Sequence, residues 1–250
     1  MVNGTRMTTR AEPRTTRVAV QCHDGDARLT CHAGTFSARA TSASGRLVSA
    51  VLVATEASLL GGDDLALEIT VGAGCTVALT DVAAMVAYDG RGLGASWRVS
   101  IDLAAGACLD WRCEPLVVTD GAHVVRSLEA RLAGDARLVV DETVVLGRTG
   151  QAGGQLECST EVWRDGRPVL IEQVTYAGHA EVAASQRFVR GPSRCVRTRL
   201  DTGTGGTAVV EASRAAAEAG SAGSGLDAGD AVVLRLAAGG TVTRWLTQPA

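Results

Sequence analysis

The chain has 250 residues, 24 basic and 27 acidic, giving a formal charge of −3; 46% are hydrophobic and 3% aromatic. A nearly balanced charge without a basic run argues against DNA and anionic membranes as partners. So few rings leave little for the stacking platforms of single-stranded nucleic-acid binders, and a basic set made only of Arg excludes Schiff-base lysines and a Walker-type phosphate loop.

Residues 1–15 read as a disordered, Arg/Thr-rich leader with no apolar signal segment, with Met7 as an alternative start. Residues 16–250 then read as a single β domain. From Thr16 to Ala54, the segments TRVAVQC, ARLTCH, TFSARAT and LVSAVLVAT alternate between Asp/Gly/Ser turns, which predicts four strands. Leu59 to Asp64, LLGGDD, is a sharp turn in which Gly61 and Gly62 free the backbone and Asp63 accepts amide hydrogens.

One unit then recurs: an alternating strand, a small Gly/Ala/Asp turn, and a second apolar-rich strand. It appears at Leu65 to Leu79, Trp97 to Trp111, Ser127 to Val140 and Val233 to Leu246, with Gly74, Gly106, Gly134 and Gly239 at equivalent points. Leu65, Leu67, Ile69 and Val71 share one face, and Trp97, Val99, Ile101 and Leu103 repeat it. Asp81 to Ala87 fits either a helical turn or a strand. The connection Arg164-Asp165-Gly166-Arg167-Pro168 predicts a hairpin. EASRAAAEAG at 211–220 is the one plausible helix, with a flexible loop near 215–229. The fold class is therefore all-β: a stacked β-hairpin or β-helix-like architecture with few short helices. It lacks the crossover helices of Rossmann, barrel and hydrolase folds.

Seven Cys at irregular spacing, with no secretory segment and no apolar run of membrane length, fit a reduced cytoplasmic chain whose Cys are mostly small buried hydrophobes. Cys22-His23 and Cys31-His32 supply four metal-ligand types, but adjacent strand residues face opposite ways. No CxxC, HExxH or GxSxG occurs, so a β-rich hydrolase has no recognisable site. The acidic residues are more informative. Asp63 follows two glycines, Glu114 precedes Pro115, Asp120-Gly121 makes a turn, and Asp141-Glu142 interrupts the apolar run LVVDETVVL. One of two consecutive strand carboxylates must face inward, at a cost unless paired. Arg126, Arg137 and Arg148 are candidate partners. The plain reading is an ion-paired network that fixes strand register; the functional reading is a carboxylate-lined passage for a cation.

The same residues resemble the urease accessory protein UreD (UreH) family. Gly61, Gly62 and Asp63 stand in its Gly-Gly-Asp block, and Thr80, Ala83, Ala84 and Tyr88 in its Thr-Thr-x-Ala-Ala block. Trp111, Glu114, Pro115, Gly121 and Ala122 resemble a third block; Ala136, Arg137, Glu142, Leu146, Gly147 and Arg148 resemble a fourth. The likeness is strongest over residues 45–170. The chain departs where Asp81 replaces a second Thr, where Arg112-Cys113 replaces Leu-Pro, and where Gly153-Gly154 lacks a Glu.

The resemblance implies a non-catalytic, β-rich scaffold of urease maturation in the cytoplasm, serving nickel insertion. It implies a UreF-like partner, a UreG-like GTPase reached through it, contact with the urease apoprotein, and a homodimeric option within the complex. No permanent cofactor is expected, only transient nickel. Asp63, Glu114, Asp120, Glu142 and Arg148 are the expected cation passage or buried polar network; Gly61, Gly62, Gly121 and Gly147 are the expected structural turns. The metal ligands are left open. The alternative is a β-solenoid protein-binding module without a metal role.

Overall fold

The computed structural model describes residues 13–57, 59–178, 194–203, 231–236 and 239–247. The strands are β1 (Arg14–His23), β2 (Asp26–His32), β3 (Phe36–Ser44), β4 (Leu47–Ala54), β5 (Asp64–Val71), β6 (Thr76–Asp81), β7 (Met85–Ala87), β8 (Ala95–Leu103) and β9 (Cys108–Arg112). They continue with β10 (Leu116–Val118), β11 (His123–Leu132), β12 (Arg137–Leu146), β13 (Gln155–Arg164), β14 (Arg167–Ala177), β15 (Cys195–Asp201), β16 (Ala231–Arg235) and β17 (Thr241–Thr247). No helix occurs among the described residues; the ambiguous 81–87 segment is the end of β6, a bend at 82–84, and β7. The expected helix at 211–220, the flexible loop and residues 1–12 of the leader lie outside them. β1 begins at Arg14, two residues before the leader boundary read from the sequence.

Two sheets form, ordered β14-β13-β11-β8-β5-β1-β2 and, on the main path, β16-β17-β15-β12-β9-β6-β4-β3. From β4 to β13 the chain alternates between the sheets, except that the short β7 and β10 follow β6 and β9 in the same sheet. Within each sheet the successive rungs β1-β5-β8-β11-β13 and β4-β6-β9-β12 are parallel and in register. This is a two-sheet β-solenoid. Antiparallel pairs cap it: β1–β2 and β3–β4 at one end, β13–β14, β12–β15, β15–β17 and β16–β17 at the other. Three of the four repeated turns are thus corners between sheets. The fourth, at Gly239, and the Asp165-Gly166 turn join antiparallel strands.

The corners explain the glycines. Four-residue turns close with Cys75 N–H on Gly72 O, Ala107 N–H on Ala104 O and Ala136 N–H on Ala133 O, at 3.0–3.1 Å. Gly74 and Gly106 occupy the third position with φ of 65° and 67°, where a left-handed backbone favours Gly. Gly134, φ 55°, sits one place earlier. Asp135 takes the equivalent position, and its carboxylate accepts Gly106 N–H at 2.7 Å. The alternation had suggested equivalence; the register corrects it by one residue.

Inward positions are nearly all aliphatic. Leu65, Leu67, Ile69, Val71, Leu79, Ile101, Leu109, Trp111, Leu138, Leu146 and Leu156 are fully buried between the sheets. Alternation alone therefore supplies a continuous apolar core, as period-2 strands require. Cys22 is disulfide-bonded to Cys75, 53 residues away, which ties β1 to the first corner. This departs from the expectation of an all-reduced chain. Spacing gave no sign of the pair because parallel stacking of β1 on β5 brings the two together.

Candidate functional site: a polar row inside the solenoid

Because the rungs are in register, inward side chains stack in rows across the sheet. Leu79, Trp111 and Val140 form one such row on β6, β9 and β12. Two residues further on lie Asp81, Cys113 and Glu142. Glu142 is opposite Thr198, and Thr198 is opposite Arg244. One inner row of this sheet is thus polar from β6 to β17. In the other sheet, Trp97, Arg126 and Cys158 are cross-strand neighbours.

The two sheets meet through an ion pair. Arg126, 3% exposed, places Nη2 2.6 Å from Glu142 Oε2, whose side chain is 24% exposed. The guanidinium lies over the Trp97 ring at 5.0 Å. Burial works against the arginine's charge, but the charges of Glu142 and, less strongly, Cys158, Cys113 and Asp81 together outweigh it and the Arg126 pKa is raised. Asp81 accepts hydrogen bonds from Trp111 Nε1 at 2.8 Å and from Glu114 N at 3.3 Å. Burial pushes its carboxyl up to about 6, against the lowering effect of those bonds. Burial likewise raises the Cys113 thiol well above its ordinary value, pushes Cys158 up to about 11, and raises the Tyr176 phenol. Farther along, Arg244 pairs with Glu172 and its Nε donates to Thr198 Oγ1 at 3.3 Å.

A cavity lies on each side of the Arg126–Glu142 pair. One is lined by Trp97, Cys113, Glu114, Arg126 and Glu142, among others. The other lies between β13–β14 and β12–β15–β17, where Glu142, Cys158, Glu172, Tyr176, Thr198 and Arg244 face it. The first has a structural cause. β12 runs unbroken, whereas its neighbours are interrupted at 82–84 and 113–115 before resuming as β7 and β10. Pro115 has no N–H to give to the ladder there, and its carbonyl accepts Met85 N–H at 3.0 Å. Glu114, exposed, stands at this opening.

The residues singled out from sequence divide into two groups. Glu142 lies on the polar row, and Glu114 lines the cavity at its mouth. Asp63, Asp120 and Arg148 instead lie at the opposite corners of the solenoid. Asp63 Oδ1 meets Arg14 Nη2 at 2.8 Å while Oδ2 caps Leu60 N–H at 2.9 Å. Asp120 Oδ1 accepts Gly153 N–H at 2.6 Å. The Arg148 guanidinium covers the Tyr88 ring at 5.0 Å. Gly61, Gly62, Gly121 and Gly147 are at these corners as well. The approach is close there: a Cβ on Gly61 would stand 2.5 Å from the Gly90 Cα. Asp141 faces outward, bound by Arg197 through both oxygens at 2.8 and 2.6 Å. Of the suggested arginine partners, Arg126 takes Glu142, Arg137 takes Asp201, and Arg148 takes the Tyr88 ring.

Asp81, Cys113, Cys158, Glu172 and Arg244 were not picked out as site residues, and Arg126 only as a candidate ion-pair partner. Rung alignment is the signal that finds them: each sits two places beyond a buried apolar residue, or opposite another polar one. Two of the family departures, Asp81 and Cys113, are neighbours in this row. Among the described residues no group of three or more His, Cys, Asp or Glu is arranged to hold a metal ion.

Fold and row together define a two-sheet β-solenoid with a polar interior row. The chain belongs to the UreD urease accessory protein family, whose sequence model matches residues 13–250. It is 46% identical over 123 residues to urease accessory protein UreD 1 of Streptomyces griseus subsp. griseus, covering 49% of this chain and 48% of that protein. It is 43% identical over 131 residues to the UreD of Parafrankia sp., covering 52% and 44%. Against UreD 2 of Saccharopolyspora erythraea, identity is 32% over 169 residues, covering 66% and 60%. The matched stretch thus spans about half the length of these curated relatives.

Two outcomes follow for the row. Glu142→Gln leaves a buried guanidinium without its counter-charge and should cost about 3–5 kcal/mol. Replacing both partners, as Arg126→Met with Glu142→Leu, should recover most of that loss; urea unfolding of the two singles and the double reads the coupling. For Asp81, the folded pKa of about 6 exceeds the unfolded 3.8. Its contribution to stability is therefore full below about pH 4 and is lost as pH rises through 6. Asp81→Asn should lack this loss, so the stability of wild type relative to the variant should fall between those pH values in paired urea melts.

Proposed function

We propose that the chain is a non-catalytic urease maturation factor, a scaffold that passes nickel through its interior row toward the urease active site. The observation that carries the reading is the polar row of a chain in the UreD family. Its carboxylates, thiols and hydroxyl are spread along the strands instead of gathered into a closed site. Such a series can hold a divalent cation weakly and release it, which transport requires and tight storage would prevent. No cofactor stays bound in this reading; nickel is cargo. GTP hydrolysis falls to a UreG-like partner reached through a UreF-like protein, in keeping with a chain that has no Lys for a phosphate loop. The urease apoprotein is the recipient, and the cytoplasm the setting. Exposed Val232, Val233 and Leu234 on β16 offer apolar surface for protein contact.

The other reading is a β-solenoid binding module without a metal role. The Arg126–Glu142 pair favours it to the extent that both charges are already satisfied within the protein.

The purified chain should form a complex with its UreF-like partner at micromolar concentration without nucleotide. It should hydrolyse neither urea nor GTP alone. Size-exclusion chromatography of the two proteins, with ammonia and phosphate assays on the isolated chain, checks this. Separate elution of the partners would remove the maturation role.

A further inference from the structure

We propose that Arg126 is a two-seat gate on the interior row: held by Glu142 it closes the route between the mouth at Glu114 and the cavity beside β14 and β17, and turned to Asp81 it frees Glu142 to take a cation. The proposal rests on reading the row as a cation route and supplies that route with a control point.

Placement is the first support. Glu142 and Val144 are common to the linings of both cavities, and only Glu142 of the two is charged. The Arg126–Glu142 contact at 2.6 Å stands at this shared wall between the cavities. A guanidinium there repels a metal cation and takes up one oxygen of the carboxylate, which weakens its hold on one.

The second support is the existence of another seat. Asp81, Cys113 and Glu142 follow one another on three adjacent strands of the row, so the two carboxylates flank Cys113. Asp81 is bonded only to neutral N–H groups, those of Trp111 and Glu114, and Glu114 lines the same cavity as Arg126. With its carboxyl pushed up to about 6 by burial, Asp81 is largely ionised at neutral pH. Arg126 and Asp81 each feel the other's charge. The groups facing Arg126 from its packed elements are Glu142 on β12, Asp81 on β6, Cys113 after β9, Cys158 on β13 and the Trp97 ring on β8.

The third support is the pivot. Trp97, 4% exposed, presents its ring to the guanidinium, and a flat π face allows a cation to slide without losing its contact. The indole Nε1 of Trp97 is buried and has no acceptor among the described residues.

Cys113 and Cys158 report on the two cavities, so thiol labelling tests the gate without urease or nickel. The full chain is treated with cationic aminoethyl methanethiosulfonate and with the neutral methyl reagent, and peptide mass spectrometry reads each cysteine. The ratio of cationic to neutral rates cancels any change in thiol acidity. In the wild type that ratio should be low at Cys158. Arg126→Gln should raise it about tenfold, because a fixed positive charge leaves the path. Asp81→Asn, which removes the second seat, should lower it further. If Arg126→Gln does not accumulate, Arg126→Lys keeps the charge without the fork and should raise the ratio by less. An unchanged ratio in the arginine variants overturns the gate, and an unchanged ratio in Asp81→Asn overturns its second seat. A raised ratio without any change in urease nickel loading upholds the gate and instead removes the nickel route.

Discussion

The in-register stacking of parallel rungs is the constraint from which the rest of the structure follows. Each coil adds one strand to each sheet, and a residue at a given position rests on its counterpart in the coil before. Chemistry is therefore copied sideways along rows. Aliphatic positions produce a continuous dry core, and polar positions produce a continuous polar row. Asp81, Cys113 and Glu142 sit together for this reason although they are far apart in sequence. The same register brings the corner turns together, so that Asp135 from one coil caps Gly106 of the previous coil.

Placing a charged row in such a core is costly, and the molecule offsets the cost locally. Arg126 reaches across from the opposite sheet to Glu142, Arg244 reaches Glu172, and Asp81 takes two N–H donors. Buried pairs of this kind add little net stability compared with apolar packing. Outward-facing pairs such as Arg197–Asp141 and Arg137–Asp201 already clamp β12 to β15. The interior pairs Arg126–Glu142 and Arg244–Glu172 differ from these in joining one sheet to the other.

Much of this architecture could be read from the chain. Period-2 alternation and the recurring glycine turn gave an all-β stack, and the strands up to β4 fell where the turn residues put them. One of the consecutive Asp141 and Glu142 had to face inward; it is Glu142, which shares its side of β12 with Leu138, Val140, Val144 and Leu146, while Asp141 bonds outward. What could not be read was adjacency between distant segments. A corner between sheets and a hairpin share the same turn residues, so sequence did not distinguish them. Asp81 began a segment that fitted helix or strand, and Cys113 read as an ordinary cysteine. Both became informative only once the rungs were aligned. Asp63 and Asp120 stood beside glycines for reasons of turn geometry, and their carboxylates are engaged by Arg14 and by Gly153 N–H. The Cys22–Cys75 bond was likewise hidden by a separation of 53 residues.

The central claim is that the interior carboxylate at Glu142 handles a cation in transit. Its most direct test is the nickel content per urease active site when urease is matured with Glu142→Gln as the only copy of this chain. The measurement is made at an expression level where the variant accumulates and binds its UreF-like partner as the wild type does. The account predicts urease that is assembled but depleted in nickel. Full nickel occupancy under those conditions would contradict it.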